Sequence, residues 1–217
     1  MKLTRGFIFD PSLVLYLPLW KLDGASFMSR DAYGHLCTKI GALWRPNGHY
    51  FDGTDDTITL ADTASLRATV NTHEIWLKIG GQAAGAPTRR IIMVKHATDR
   101  LGLSITYVDA THVDMEFIAD TAGAKSARVQ NWVADNEWHH WVGTFDSTRT
   151  RLYRDAVLID TGDSDDTWTD TGTTLKIMGG AVGRYVVASM GELREYNRAL
   201  TPLEIQHNYL AIKWRYR

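Results

Sequence analysis

The chain has 217 residues, 44% hydrophobic and 23% charged, with a formal net charge of -1. That length suits one domain with a sizeable core, and the composition is that of a folded globular chain rather than a disordered one. The near balance of charge argues against a nucleic-acid partner, which needs a basic face, and the single cysteine, Cys37, permits no internal disulfide.

In chain order, Met1 to Trp20 carries Phe7, Ile8 and Phe9 but is interrupted by Asp10, Pro11 and Pro18. It reads as neither a signal peptide nor a membrane span. The expectation is synthesis in the cytoplasm, with action there, on a virion surface or outside the cell after release. Runs rich in Val, Ile, Thr and aromatic residues then recur between Gly, Asp, Asn and Pro. They predict strands near Leu13–Leu19, Tyr50–Phe51, Thr57–Leu60, His73–Ile79, Ile91–Lys95 and Leu103–Val108. Further strands are predicted near His112–Ile118, His139–Phe145, Arg151–Arg154, Val157–Asp160, Thr174–Met178 and Val187–Tyr196. About a dozen strands at this spacing predict an all-β sandwich of two antiparallel sheets. In the run His112 to Phe117 the residues alternate, so Val113, Met115 and Phe117 should face a core.

Near the end, Thr201-Pro202-Leu203-Glu204 combines an N-cap hydroxyl, proline at the first helical position and glutamate at the third. This capping box predicts a short helix from Pro202 to about Leu210, docked on the sandwich because it is too short to stand alone.

Three segments carry a family resemblance. Tyr50-Phe51-Asp52-Gly53-Thr54-Asp55-Asp56 resembles the FDG-x-DD segment of laminin G-like, concanavalin A-type domains. Trp138-His139-His140-Trp141-Val142-Gly143-Thr144-Phe145-Asp146, with Leu152-Tyr153-Arg154-Asp155, resembles that family's W-x-H-x-x-x-T-[YF]-D and LY-x-DG run. Gly191-Glu192-Leu193-Arg194-Glu195-Tyr196-Asn197-Arg198-Ala199-Leu200, with Glu204-Ile205, is similar to its closing signature. The order and spacing of all three imply a single concanavalin A-like jelly roll over 1–217, with an N-terminal arm at 1–12 and a C-terminal tail at 211–217. Ala156 departs from the pattern, which has glycine after Asp155, so that turn is expected to differ. The family's members are mostly carbohydrate- or protein-binding modules, some with calcium, and related folds include glucanases; fold alone does not choose among these.

Glucanases on this architecture place acids at alternate positions of one strand. The nearest match is His112-x-Asp114-x-Glu116, with histidine where the first acid should stand, and a solvated strand face accounts for it better. The His139-His140 pair is not expected to hold a metal, since strand neighbours point to opposite faces. Asp52, Asp55 and Asp56 are the candidate calcium ligands, because a hard cation wants several loop oxygens. Asp160, Asp163, Asp165, Asp166 and Asp170 lie in a second acidic loop that lacks an EF-hand's glycine and terminal glutamate and is expected to be only a solvated loop.

Simple alternation puts Glu192 with Met190, Arg194 and Tyr196 on one strand face, as candidate ligand-binding residues, with pairing between Glu192 and Arg194 as the bland alternative. Of eight tryptophans, Trp20, Trp44, Trp76, Trp138 and Trp141 sit in strand-like runs and are expected in the core, Trp132 is placed near a turn, and Trp168 lies among polar residues and is the candidate sugar platform. The leading expectation is a non-catalytic recognition module for a glycan or glycoprotein surface, with calcium as the metal to test. The alternative is a structural virion protein, a decoration or tail component, whose partners are copies of itself or other virion proteins. A glycoside hydrolase using Asp114 and Glu116 is the remote third reading.

Overall fold

The computed structural model describes residues 6–80, 89–95, 101–119, 126–163, 172–180 and 184–217. It contains two antiparallel sheets of eight strands each, packed face to face. The first runs in the order β14 (Val157–Asp163), β13 (Arg149–Arg154), β12 (Asp135–Phe145), β7 (Asn71–Gly80), β16 (Val187–Tyr196), β5 (Gly48–Asp52) and β4 (Leu43–Arg45). Its eighth strand, β1 (Leu13–Leu17), pairs with the second half of β16, past the point where β5 leaves it. The second sheet runs β11 (Ser126–Val133), β10 (His112–Ala119), β9 (Leu101–Tyr107), β8 (Arg89–Val94), β15 (Leu175–Ile177), β6 (Thr57–Leu60), β3 (Leu36–Ile40) and β2 (Ser26–Met28).

The core lies between the sheets. Val113, Met115 and Phe117 of β10 are buried there, opposite Trp141, Phe145, Leu77 and Leu193 of the first sheet, as period-two alternation demands. Gly143 of β12 lies against the Phe117 ring, so close that a Cβ there would sit 2.2 Å from the ring's edge. Cys37 is buried and unbridged. Among the described residues no helix is long and apolar enough to cross a membrane.

Four strands escape the sequence pattern: β2, β3, β4 and β11. Three of them are sheet edges and the fourth adjoins an edge. An edge strand has few buried positions, so its sequence carries little of the alternation that marks a central one. Trp132, expected near a turn, therefore lies within β11.

A second, smaller apolar cluster sits on the outer face of the first sheet, where Leu13, Val142, Tyr153 and Tyr196 receive Leu200 and Ile205. This is the seat of α1 (Pro202–Ile212). Its capping box is complete: Glu204 N–H donates to Thr201 Oγ1 at 3.3 Å, and Glu204 Oε2 accepts from Thr201 N–H at 2.8 Å. The helix continues into a 3₁₀ turn at Lys213–Tyr216, and within the segment read as a tail Tyr216 is buried against Trp76 of β7. Phe7 packs on Tyr16 and His207 reaches Gly6 O at 2.7 Å, which docks the described part of the N-terminal arm as well.

Candidate functional site

Beside the 3₁₀ turn that follows α1, the outer face of the first sheet carries a cleft, and register decides what lines it. Trp138 of β12 stands opposite Lys78 of β7, Lys78 opposite Ser189 of β16, and Ser189 opposite Tyr50 of β5. Residues directly opposite share a face, so these four side chains form one row across four adjacent strands. The row is the floor of a cleft of about 520 Å³, in the range of small-molecule sites.

Its two walls come from local irregularities. One is the β4–β5 hairpin tip, Arg45-Pro46-Asn47-Gly48, which pairs Arg45 with Gly48. Gly48 has a φ of 152° and lies against the backbone of Met190, where a Cβ would meet the carbonyl oxygen at 2.1 Å. Only glycine lets the hairpin sit this close to β16. The other wall is a bulge in β12 between Asp135 and Trp138, which puts Asn136 at a φ of 59° on the rim. The Arg45 guanidinium lies 4.9 Å from the centre of the Tyr50 ring, a cation–π contact that holds it over the cleft. Two half-buried aromatic rings, a lysine, an arginine, two amides and a hydroxyl thus converge on one concavity.

The tryptophan expectations divide accordingly. Trp76 and Trp141 are buried, but Trp20 and Trp138 are only partly so and Trp44 is 39% exposed. Trp138 faces outward because its partner Lys78 does. Trp168 lies outside the described residues.

Glu192, Arg194 and Tyr196 are at most 2% exposed, which corrects the expectation of an open ligand-binding face. A bulge between Met190 and Glu192 breaks the simple alternation: Met190 turns into the main core, while Glu192, Arg194 and Tyr196 point outward beneath the helix and the N-terminal arm. There Arg194 bridges Glu192 and Glu74, its Nη1 donating to Glu74 Oε1 at 2.7 Å. Glu74 also meets His140 Nε2 at 2.6 Å and accepts from Asn208 Nδ2 of α1 at 2.8 Å. Asn208 in turn accepts from Ile8 N–H at 2.8 Å, and Tyr196 Oη donates to Ile8 O at 2.9 Å. Burial alone would raise the Glu74 carboxyl, but Arg194 and His140 beside it bring it down to about 2. This network is a buried weld of arm, sheet and helix.

The structure does bring Asp52, Asp55 and Asp56 together, with one carboxylate oxygen of each within 4.8 Å of the others. They can supply three of the six to eight oxygens that calcium takes. Asp56 Oδ2 also accepts from Asp52 N–H at 2.8 Å, and Asp52 Oδ1 from Thr54 N–H at 2.8 Å. Burial raises the Asp56 pKa, and the neighbouring charges of Asp52 and Asp55 add to the rise. Of the second acidic loop, Asp160 and Asp163 lie in β14, not in a loop, and Asp160 accepts from Arg128 N–H at 2.8 Å; the other acids lie outside the described residues.

Asp114 and Glu116 are occupied. Asp114, only 7% exposed rather than solvated, pairs with Arg128 and accepts from Asn131 N–H at 2.7 Å, while Glu116 accepts from Ser126. His112 sits on Asp109 at 2.9 Å. His139 and His140 do point apart, His139 to Asp155 and His140 to Glu74.

Residues 52–206 match the family model described as the concanavalin A-like lectin/glucanases superfamily, a laminin G-like family. The chain belongs to that superfamily. No curated protein sequence matches it. Among solved structures, this laminin G-like chain is similar to the binding domain of Paraclostridial Mosquitocidal Protein 1, with a TM-score of 0.69, 13% identity and coverage of 91% of this chain and 52% of that one. It is similar also to the binding domain of botulinum neurotoxin DC in complex with SialylT, with a TM-score of 0.70, 12% identity and coverage of 93% and 52%. The same toxin's binding domain in complex with rat synaptotagmin II matches with a TM-score of 0.69, 13% identity and coverage of 94% and 52%. At these identities the likeness is one of fold, and the laminin G-like chain spans about half the length of each.

Proposed function

We propose that the chain is a non-catalytic carbohydrate-recognition module whose binding site is the cleft floored by Trp138, Lys78, Ser189 and Tyr50. The observation that carries this reading is the row itself. Half-buried aromatic rings stand at its two ends, 138 and 50, with hydrogen-bonding side chains between them. A pyranose presents one apolar face and a rim of hydroxyls, so it is matched by a ring to stack on and donors and acceptors beside it. The superfamily includes lectins, and a structural neighbour was solved with a sialyl ligand, which supports the same reading. Catalysis is disfavoured because Asp114 and Glu116 are engaged by Arg128 and Ser126 on their own sheet. The test is a glycan array of neutral and acidic saccharides, repeated with Trp138→Ala. Retention that Trp138→Ala abolishes supports the site; retention unchanged in the variant moves it elsewhere.

A second reading concerns calcium. The mutual approach of Asp52, Asp55 and Asp56 favours a hard cation ordering that turn, and Asp52 lies two residues past Tyr50 on the same face of β5. A ligand that binds only the native state raises its melting temperature. The reading expects a higher Tm in millimolar calcium than in excess chelator, with the difference lost in Asp55→Asn; equal values would retire it.

A further inference from the structure

We infer that the cleft selects an acidic saccharide, one carrying a carboxylate, over its neutral counterpart; this rests on the proposal that the cleft binds carbohydrate. The argument is one of unmatched charge. Arg45 and Lys78 are both lining residues, while Pro46, Asn47, Gly48, Tyr50, Asn136, Trp138 and Ser189 supply no acid. Among the described residues neither cation meets a carboxylate: Arg45 rests on the Tyr50 ring, and Lys78 stands between Trp138 and Ser189.

Elsewhere on this chain many cations meet acids, although Arg154, Lys213 and Arg215 lie over aromatic rings as Arg45 does. Arg30 sits on Asp23, Arg67 and Lys95 on Asp62, Arg128 on Asp114, Arg151 on Asp146, and Arg198 on Asp10 and Glu204. With a net charge of only -1, two cations left facing one concavity are not the by-product of a basic protein. The nearest acids along the lining strands, Asp52 beyond Tyr50 and Asp135 and Glu137 on either side of Asn136, do not line the cleft.

Geometry gives the cations different tasks. Lys78 is half-buried in the floor, flanked by neighbours that limit its hydration. A compact ammonium there gains a charge-assisted hydrogen bond from a carboxylate set over the row. Arg45, on the rim and held by the Tyr50 ring, offers a planar fork that fits a carboxylate edge-on. Asn47, Asn136 and Ser189 remain for the hydroxyls. A neutral sugar of the same shape could still stack on Trp138 but would leave both cations without a counter-charge.

The experiment is titration calorimetry on the full chain with two matched pairs, sialyllactose against lactose and trigalacturonate against its methyl ester, extended by the glycan array. The expected result is affinity about tenfold higher for the acidic member of at least one pair. The preference should shrink in 0.5 M salt, which screens exposed charge. It should vanish in Lys78→Met and weaken in Arg45→Gln, a rim substitution that leaves the fold intact, while Trp138→Ala weakens acidic and neutral members alike. Equal binding of both members, still lost in Trp138→Ala, would overturn the charge inference and keep the carbohydrate reading. A preference that survives in the Lys78→Met, Arg45→Gln double variant would also overturn it. Retention of no glycan of either kind would overturn the carbohydrate reading and this inference with it.

Discussion

The ring of Tyr216 lies 4.9 Å from that of Trp138 and 4.5 Å from that of Trp76, on which it stacks. Gly191 makes the seat: a Cβ there would lie 2.3 Å from the Tyr216 ring. The last turn of the chain therefore braces the aromatic end of the cleft. Tyr216→Ala should lower stability by about 3 kcal/mol, the low end for removing a buried ring, because the chain end can partly close the gap. The same variant should weaken saccharide binding, since Trp138 loses the neighbour that fixes it. Urea unfolding and calorimetry check both; undiminished binding would mean that β12 alone holds Trp138 in place.

The buried network predicts acid sensitivity. The Glu74 carboxyl is held at about 2, below its unfolded value of about 4.3. A depressed carboxylate contributes stability above the unfolded pKa and loses it as pH falls through the folded one. Between pH 5 and 2.5, wild type should lose urea resistance more steeply than Glu74→Gln, which starts lower. Arg194→Met, which strips the cation from two buried carboxylates, should cost about 3–5 kcal/mol at pH 7. Parallel slopes for wild type and Glu74→Gln would place the acid-labile group elsewhere.

These two relationships also show what sequence can and cannot give. Central strands were legible because both their periods and their partners are apolar: β6 and β16 have the limits that their residue runs suggest, and Val113, Met115 and Phe117 of β10 do face the core, although Asp114 and Ile118 between and beyond them are buried too. The cap of α1 was legible because it is local, four residues long. The cleft was not, because Trp138, Lys78, Ser189 and Tyr50 are brought together only by strand register, and a one-residue slip in any pair would send a side chain to the other face. The bulge after Met190 does this: it moves Glu192 to the face opposite the one that counting by twos assigns relative to Met190. The one sequence signal available was Lys78, a lone charge in the apolar run Ile75 to Ile79, which marks an outward position and so its partners.

His139 gives the opposite pH dependence to Glu74. Burial would lower its pKa, but Asp155 at 2.6 Å and Asp135 at 3.1 Å raise it above the ordinary histidine value. A histidine raised in the folded state contributes stability that is complete below its unfolded pKa, about 6.5, and is lost as pH rises through the folded value. His139→Gln should therefore be more destabilising at pH 5.5 than at pH 8.5. Comparing the two proteins at each pH cancels His49 and His73, whose pKa values burial lowers and which act in the other direction. A deficit that does not change with pH would mean the ring contributes by packing on Trp132, 5.3 Å away, and not by its charge.

The turn between β13 and β14 holds a correctable strain. Asp155 and Ala156 are its two central residues, between the paired Arg154 and Val157, with φ of 51° and 66°. Both are left-handed, the geometry of the tight hairpin turn that favours Asn or Asp followed by Gly. Asp155 fits, and its carboxylate is further fixed by His139 and by His140 N–H at 3.0 Å. Ala156 does not: a left-handed residue with a Cβ costs about 1–2 kcal/mol. Thus the departure at this position leaves the turn's shape unchanged and puts an unfavoured residue in it. Ala156→Gly removes the clash but frees the unfolded chain by about 0.4–1 kcal/mol, and it gives up a methyl that packs at the edge of the outer cluster. The balance favours the variant by about 0.5 kcal/mol, with Ala156→Val destabilised instead because branching worsens the same clash. Urea midpoints of the three proteins should rank glycine, alanine, valine from high to low. Should the glycine variant fall below wild type, the methyl's packing outweighs the backbone strain.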